Sequence, residues 1–222
     1  MISIGLLFLL SPSTKMLSVS PNNILLPLSD VSNSIWNISQ HALAQPVAIT
    51  LSPPVSHNNT DPANSSFLTY QNESALGVVI QYPFNWKRIE VDGKAIIFVP
   101  PSRKDGFAEK LTVAVFNINS SVSPGQLSGS AINNYAEQYR DFFIIDSKPL
   151  TLQGNPAYTL SYTYNDPGAG QISVIDIGVK DGNKAYIISY SGQQLEYLMY
   201  VPAVEKMIES FHIISTPVPM TF

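Results

Sequence analysis

Ala157-Tyr158-Thr159-Leu160-Ser161-Tyr162-Thr163-Tyr164 alternates bulky residues with small ones along its whole length. A side-chain period of two belongs to a strand, so Tyr158, Leu160, Tyr162 and Tyr164 share one face and Ala157, Thr159, Ser161 and Thr163 the other. Gly154-Asn155-Pro156 supplies the turn before it, and Asn165-Asp166-Pro167-Gly168 the turn after it, each built from residues that favour tight backbone. Ile172 to Lys180 reads as the next strand. Asp181-Gly182 then makes a hairpin into Ala185 to Tyr190, because that dipeptide accepts the positive φ such turns need.

Moving outward toward the N-terminus, Phe142 to Leu152 is extended but interrupted by Pro149. Ser123 is placed to cap a helix that Pro124 opens, and Leu127, Ala131, Tyr135 and Tyr139 repeat every four residues along one helical face. Leu111 to Ile118 is apolar on both faces, which calls for cover on both sides of the sheet. Earlier still, Leu76, Val78, Ile80 and Tyr82 alternate until Pro83-Phe84-Asn85 turns the chain. Trp86 to Val91 and Ala95 to Val99 then flank the hairpin signal Asp92-Gly93.

On the C-terminal side, Gln193 to Ser210 reads as a closing helix. Leu195, Leu198, Met199, Val204, Met207, Ile208 and Phe211 form its expected buried stripe, and Pro202 is expected to break or kink it. The order is hairpins, one helix, a three-strand meander and a closing helix. Short turns make neighbours antiparallel, so the expected class is α+β, an antiparallel β-sheet between helices.

Composition narrows the function. The chain has 222 residues and no cysteine, which removes disulfides, thiolate metal sites, cysteine nucleophiles and a lipid-modified cysteine anchor. A net charge of −4 with 12 Lys and Arg gives no basic surface for nucleic acid. Only 13% of residues are charged, against about 25% in ordinary soluble domains. Ser, Thr, Asn, Gln and Tyr supply the polar surface, a chemistry suited to an extracellular face.

The first third of the chain reads as delivery. Ile2 to Leu10 is an apolar run shorter than the roughly 20 residues of a membrane span. It resembles a signal core, although no Lys or Arg precedes it. Ala42-Leu43-Ala44 before Gln45 has the small-x-small pattern of signal peptidase, and cleavage after Ala44 is expected. An uncleaved N-terminal anchor or a misassigned start codon is the alternative. Residues 45–66 carry Pro46, Pro53, Pro54 and Pro62 and read as a flexible Pro/Asn/Ser linker. The assignment is thus 1–44 signal, 45–66 linker, 67–215 domain and 216–222 C-terminal tail. Sequons occur at Asn37, Asn58, Asn64, Asn72 and Asn119; the last four are candidate glycosylation sites, with plain solvation as the alternative.

No catalytic group of residues converges in the sequence. His41, His57 and His212 are scattered, whereas metal binding or acid–base catalysis needs such groups together. Asp92, Asp105, Asp166 and Asp181 fall in turns, where Asp serves local hydrogen bonds. No phosphate loop or nucleophile elbow appears. Asp176 stands out among Ile172, Val174, Ile175 and Ile177. Its expected place is a solvent-facing sheet edge or beside a Lys, with a ligand or ion contact as the alternative. The stripe from Tyr158 to Tyr164 is expected to pack in the core, with a binding groove as the alternative. The loop bearing Arg103, Lys104, Asp105, Glu109 and Lys110 is expected to be solvated, with partner docking as the alternative.

Three stretches carry a resemblance. Leu76-Gly77-Val78-Val79-Ile80-Gln81-Tyr82-Pro83-Phe84-Asn85-Trp86-Lys87 resembles the strand, Tyr-Pro, x-x-Trp opening of PsbP-like domains. Leu152-Gln153-Gly154-Asn155-Pro156-Ala157-Tyr158 is similar to their central turn into a strand. Asp181-Gly182-Asn183-Lys184-Ala185-Tyr186-Ile187-Ile188, with Tyr197, Pro202 and Met207-Ile208-Glu209-Ser210-Phe211, is similar to their final hairpin and closing helix. The resemblance covers Phe67 to about Ile214 and implies an α-β-α sandwich of PsbP type. That fold is shared with the photosystem II extrinsic subunit and with relatives that bind a Ran-type GTPase, proteins that act by binding. The form with sequons and an Ala-x-Ala-Gln export site looks most like the exported PsbP-like proteins of ammonia-oxidising archaea. No photosystem-docking or metal-retention segment is matched, so no residue is carried across and no photosynthetic role is implied.

The expected function is therefore a secreted or cell-surface, membrane-proximal accessory module that binds a protein partner, without catalysis, metal, cofactor or nucleic acid. A small-ligand carrier (lipid or cofactor) with a tyrosine-lined pocket between sheet and helix is the second reading. An enzyme would need Asp176 to meet a group such as Glu209 or Arg140.

Overall fold

The computed structural model describes residues 66–101 and 109–214. The signal, linker and tail assignments lie outside the described residues, as do Asn37, Asn58, Asn64, His41, His57, Arg103, Lys104 and Asp105. Along the chain come β1 (Phe67–Asn72), β2 (Val78–Pro83), β3 (Lys87–Val91), β4 (Ala95–Val99) and β5 (Lys110–Asn117). The helix α1 (Pro124–Gln138) follows, then β6 (Phe143–Leu152), β7 (Asn155–Asp166), β8 (Gly170–Asp181) and β9 (Lys184–Gln193). The helix α2 (Gln194–Glu209) and the short β10 (His212–Ile213) close the described chain.

Seven strands form one sheet in the order β3-β4-β5-β9-β8-β7-β6, and β1, β2 and β10 form a second, small sheet. Every ladder is antiparallel. The architecture is α+β, mostly antiparallel sheet with two helices among the described residues.

Side-chain parity explains the packing. Register places Tyr158, Leu160, Tyr162 and Tyr164 on the same side as Ile172, Val174 and Asp176, and α1 lays Leu127, Ala131 and Tyr135 against that side. Ile177 and Val179 face the other way with Tyr186, Ile188 and Tyr190. There they meet Tyr200, Ala203, Val204 and Met207 of α2 and Tyr70, Val78 and Ile80 of the small sheet. Each fully buried Leu or Ile is worth roughly 2 kcal/mol over exposure, against about 1 kcal/mol for a good helix cap. The sheet faces therefore decide where the helices sit, and caps set where they start.

The expected cap is present. Ser123 Oγ accepts from Gln126 N at 3.2 Å, and Gln126 Oε1 accepts from Ser123 N at 2.8 Å, a reciprocal capping box.

Several expectations are corrected. Pro149 does not interrupt its strand: β6 runs unbroken from Phe143 to Leu152. Gln153 and Gly154 close the β6–β7 hairpin with φ of 51° and 79°, a two-residue loop whose flanking pair, Leu152 and Asn155, is hydrogen-bonded. Counting back, Pro149 opposite Tyr158 sits in a pair whose backbone points away from β7. On that open edge a missing N–H costs no ladder bond. Pro202 likewise leaves α2 unbroken. The carbonyl it deprives is that of Leu198, and both residues lie on the exposed side, where the carbonyl is open to solvent.

The buried face of α2 matches the expected stripe at Val204 and Met207, with Phe211 just beyond the helix, but departs from it in the first half of the helix. Leu198 and Met199 are 65% and 41% exposed, while Tyr200, Ala203, Val204 and Met207 are buried. The helix starts directly at the end of β9, so the strand sets its phase and presents i, i+3, i+4 and i+7 from Tyr200 to the core. β1 and β10 are strands beyond the expected set, and β6 joins the meander to make it four strands from β6 to β9.

Candidate functional site

Asp176 occupies the middle of the large sheet on β8, between β7 and β9, with no exposed surface. It lies neither at an edge nor, among the described residues, beside a Lys, which corrects both expected placements. Alternation predicts a face but not whether that face is covered, and here α1 covers it. Its Oδ2 accepts hydrogen bonds from Tyr135 of α1 at 2.9 Å and Tyr162 of β7 at 3.4 Å. The hydroxyl of Ser189, directly opposite on β9, also favours its charged form. Among the described residues no hydrogen-bond donor reaches its Oδ1. Burial pushes the Asp176 carboxyl up to about 6, and the hydroxyls of Ser189, Tyr135 and Tyr162 limit the rise.

The tyrosine stripe packs in the core, as expected. Tyr139 stacks on Tyr164 with centroids 4.0 Å apart, and Tyr135 leans on Tyr162 at 5.0 Å. Phe142 reaches both, at 6.2 Å from Tyr135 and 5.2 Å from Tyr162. These rings fill the space between α1 and the sheet with one another. Burial drives the phenols of Tyr135 and Tyr162 well above their usual range, with the Asp176 charge adding to the effect. They are donors, not bases.

Next to this cluster the surface changes character. Phe143, Ile144 and Ile145 are 67%, 38% and 61% exposed, three apolar residues in succession. They open β6, the outermost strand of the sheet, and the ladder to β7 slips by one residue between Ile144 and Asp146. Such a bulge re-aims side chains at a sheet edge. The turn before it is fixed from β7: Asn165 N donates to Arg140 O at 2.8 Å, and Asp141 takes a φ of 54°.

The charged loop behaves differently from expectation at its described end. Glu109 and Lys110 are 4% and 6% exposed, so neither is solvated. Burial raises the Glu109 carboxyl, and burial lowers Lys110 to about 8, with Asp166 opposing that shift. Glu109 fits against Gly192, where a Cβ would crowd its side chain. His212 is exposed, with Nδ1 2.8 Å from Ser210 O. Asp166 serves its turn, accepting from Gly168 N and Ala169 N at 2.9 Å each. Of the sequons, Asn119 is exposed and Asn72 is half-buried. Asn72 Oδ1 accepts from Ala75 N at 2.9 Å, and Asn119 Oδ1 from Ser121 N at 3.0 Å. Asp176 meets neither Glu209 nor Arg140. Among the described residues no three His, Asp or Glu side chains gather to hold a metal ion, and no helix is long and apolar enough to cross a membrane.

The sequence profile of a family described as PsbP-like protein matches residues 48–213. The chain belongs to the PsbP-like family. The fold agrees. The solution structure of cyanobacterial PsbP from Synechocystis is 18% identical, with a TM-score of 0.52 over 73% of this chain and 99% of that one. The Ran-binding protein Mog1p of Saccharomyces cerevisiae is 12% identical, with a TM-score of 0.49 over 68% of this chain and 97% of that one. LpqN of Mycobacterium tuberculosis, involved in cell envelope biogenesis, is 15% identical with a TM-score of 0.49, covering 60% and 81%. No curated protein matches the chain by sequence. At 18% identity the likeness to cyanobacterial PsbP shows the fold of this PsbP-like chain and no more.

Proposed function

We propose that this PsbP-like chain is an exported, non-enzymatic accessory module that binds another protein at the outer face of the cell membrane. The α1 and α2 layers flanking its sheet are read as the α-β-α sandwich of PsbP type. The signal-like start, the proline-rich spacer and the sparsely charged surface support delivery outside the membrane with reach away from it.

The observation that carries the reading is the run Phe143-Ile144-Ile145, which leaves three large apolar side chains exposed at a sheet margin. Scattered exposed apolar residues are ordinary, but contiguous ones mark surfaces that another molecule covers. Strand addition is not the mode of contact, because Pro149 and the bulge blunt the edge. The side chains themselves are the anchors. The stripe from Tyr158 to Tyr164 is taken up by contacts with α1, Phe142 and itself, which speaks against a carrier pocket there.

The test compares capture by the wild-type protein with capture by the double variant Phe143→Ser/Ile145→Ser from crosslinked membranes of the native cell. A defined partner retained by wild type and lost by the variant supports the reading. Equal recovery by both overturns it.

A further inference from the structure

We infer that the protonation state of Asp176 controls how firmly the end of α1 and the Arg140–Ile145 segment are held, and so regulates the proposed docking edge. The inference rests on that docking reading for its consequence, but the ordering it describes is measured without a partner.

The geometry supplies the link. Asp176 holds α1 through one bond, from Tyr135, at 2.9 Å. The same carboxylate oxygen holds Tyr162, and both rings contact Phe142. Phe142 directly precedes the exposed run that opens β6. Two ring contacts thus connect the carboxylate to the docking edge.

The groups that face Asp176 are all neutral. From α1 come Tyr135 and Tyr139, from β7 Tyr158, Tyr162 and Tyr164, and from β9 Ser189. From the other side of the sheet, Tyr197 of α2 senses its charge. None of these is a cation. An ionised Asp176 is therefore a buried charge supported by hydroxyls alone, with Oδ1 unsatisfied. Water reaches Oδ1 only if α1 lifts, so ionisation favours opening at α1 and protonation favours closure.

The size of the effect follows from linkage. If opening returns the carboxyl from about 6 to 3.8, closure is favoured about tenfold more at pH 5 than at pH 7.5. Hydrogen exchange followed by mass spectrometry at those two pH values, corrected for intrinsic exchange, reads this directly. The expected result is about tenfold greater protection of the amides of residues 135–145 at pH 5 in wild type. Asp176→Asn should show no such dependence, and Tyr135→Phe, which removes one donor to the charged form, should move the midpoint upward. Equal protection at both pH values in wild type, or the same dependence in Asp176→Asn, overturns the inference and leaves the docking reading standing. A clear pH dependence together with unchanged capture by the Phe143→Ser/Ile145→Ser variant would instead overturn the docking reading and leave the switch.

Discussion

Tyr135 donates its hydroxyl to Asp176 Oδ2 across 2.9 Å, tying α1 to the sheet through a carboxylate that has no cation beside it among the described residues. The arrangement satisfies part of a buried charge with neutral donors, which stabilises it less than an ion pair and leaves it sensitive to pH.

Stability should therefore carry the mark of this carboxyl. Burial raises it from 3.8 to about 6, so the folded state binds the proton more tightly than the unfolded chain. Its contribution is fully present below 3.8 and is lost as pH rises through about 6. A shift of about two units corresponds to roughly 3 kcal/mol. Asp176→Asn should match wild type near pH 3.5 and exceed it by about 2 kcal/mol at pH 7.5, part of the gain being spent on satisfying the amide. Urea titrations of both proteins across that range check this.

Tyr135→Phe removes the donor and leaves the ring. Its cost should be about 1–2 kcal/mol at pH 7.5 and smaller at pH 5, because the bond to a charged acceptor is the stronger one. Thermal melts at the two pH values distinguish this from a simple packing loss, which would be the same at both.

Gly178 lies opposite Tyr158 across the β7–β8 ladder. A Cβ at that position would overlap the Tyr158 ring, which is buried against α1. Gly178→Ala should cost about 2–3 kcal/mol through the forced shift of that ring. The matched change Gly129→Ala, on α1 with open space around it, should be neutral or stabilising by about 1 kcal/mol.

These sites differ in how far they could be read in advance. The tyrosine stripe and the Ser123 cap follow from local chemistry and are present as expected. The hairpins form near the expected turn residues rather than squarely on them: Gln153-Gly154 closes β6–β7, Gly182-Asn183 closes β8–β9, and Asp92-Gly93-Lys94 closes β3–β4. The burial of Asp176 does not follow locally. Alternation assigns it to a face, and only the docking of α1 makes that face an interior. Tyr135 and Asp176 stand 41 positions apart, and no short-range pattern pairs them. The closing stripe is legible at Val204, Met207 and Phe211 and not in the first half of α2, where the end of β9 sets the phase and leaves Leu198 and Met199 exposed. Phe143 to Ile145 read as ordinary strand, because apolarity in an extended run signals burial unless the strand is known to be outermost. β1 was missed because Leu68-Thr69-Tyr70-Gln71 has only Tyr70 buried, too weak an alternation to stand apart from a loop.

The claim on which the account turns is that the Phe143–Ile145 edge contacts a protein partner. A photoreactive benzoylphenylalanine placed at position 143, and separately at the exposed Glu205 of α2, tests it in intact cells. The account predicts one discrete crosslinked species from position 143 that is absent from position 205. Identical patterns from the two positions, or no crosslink from position 143 above background, would contradict it.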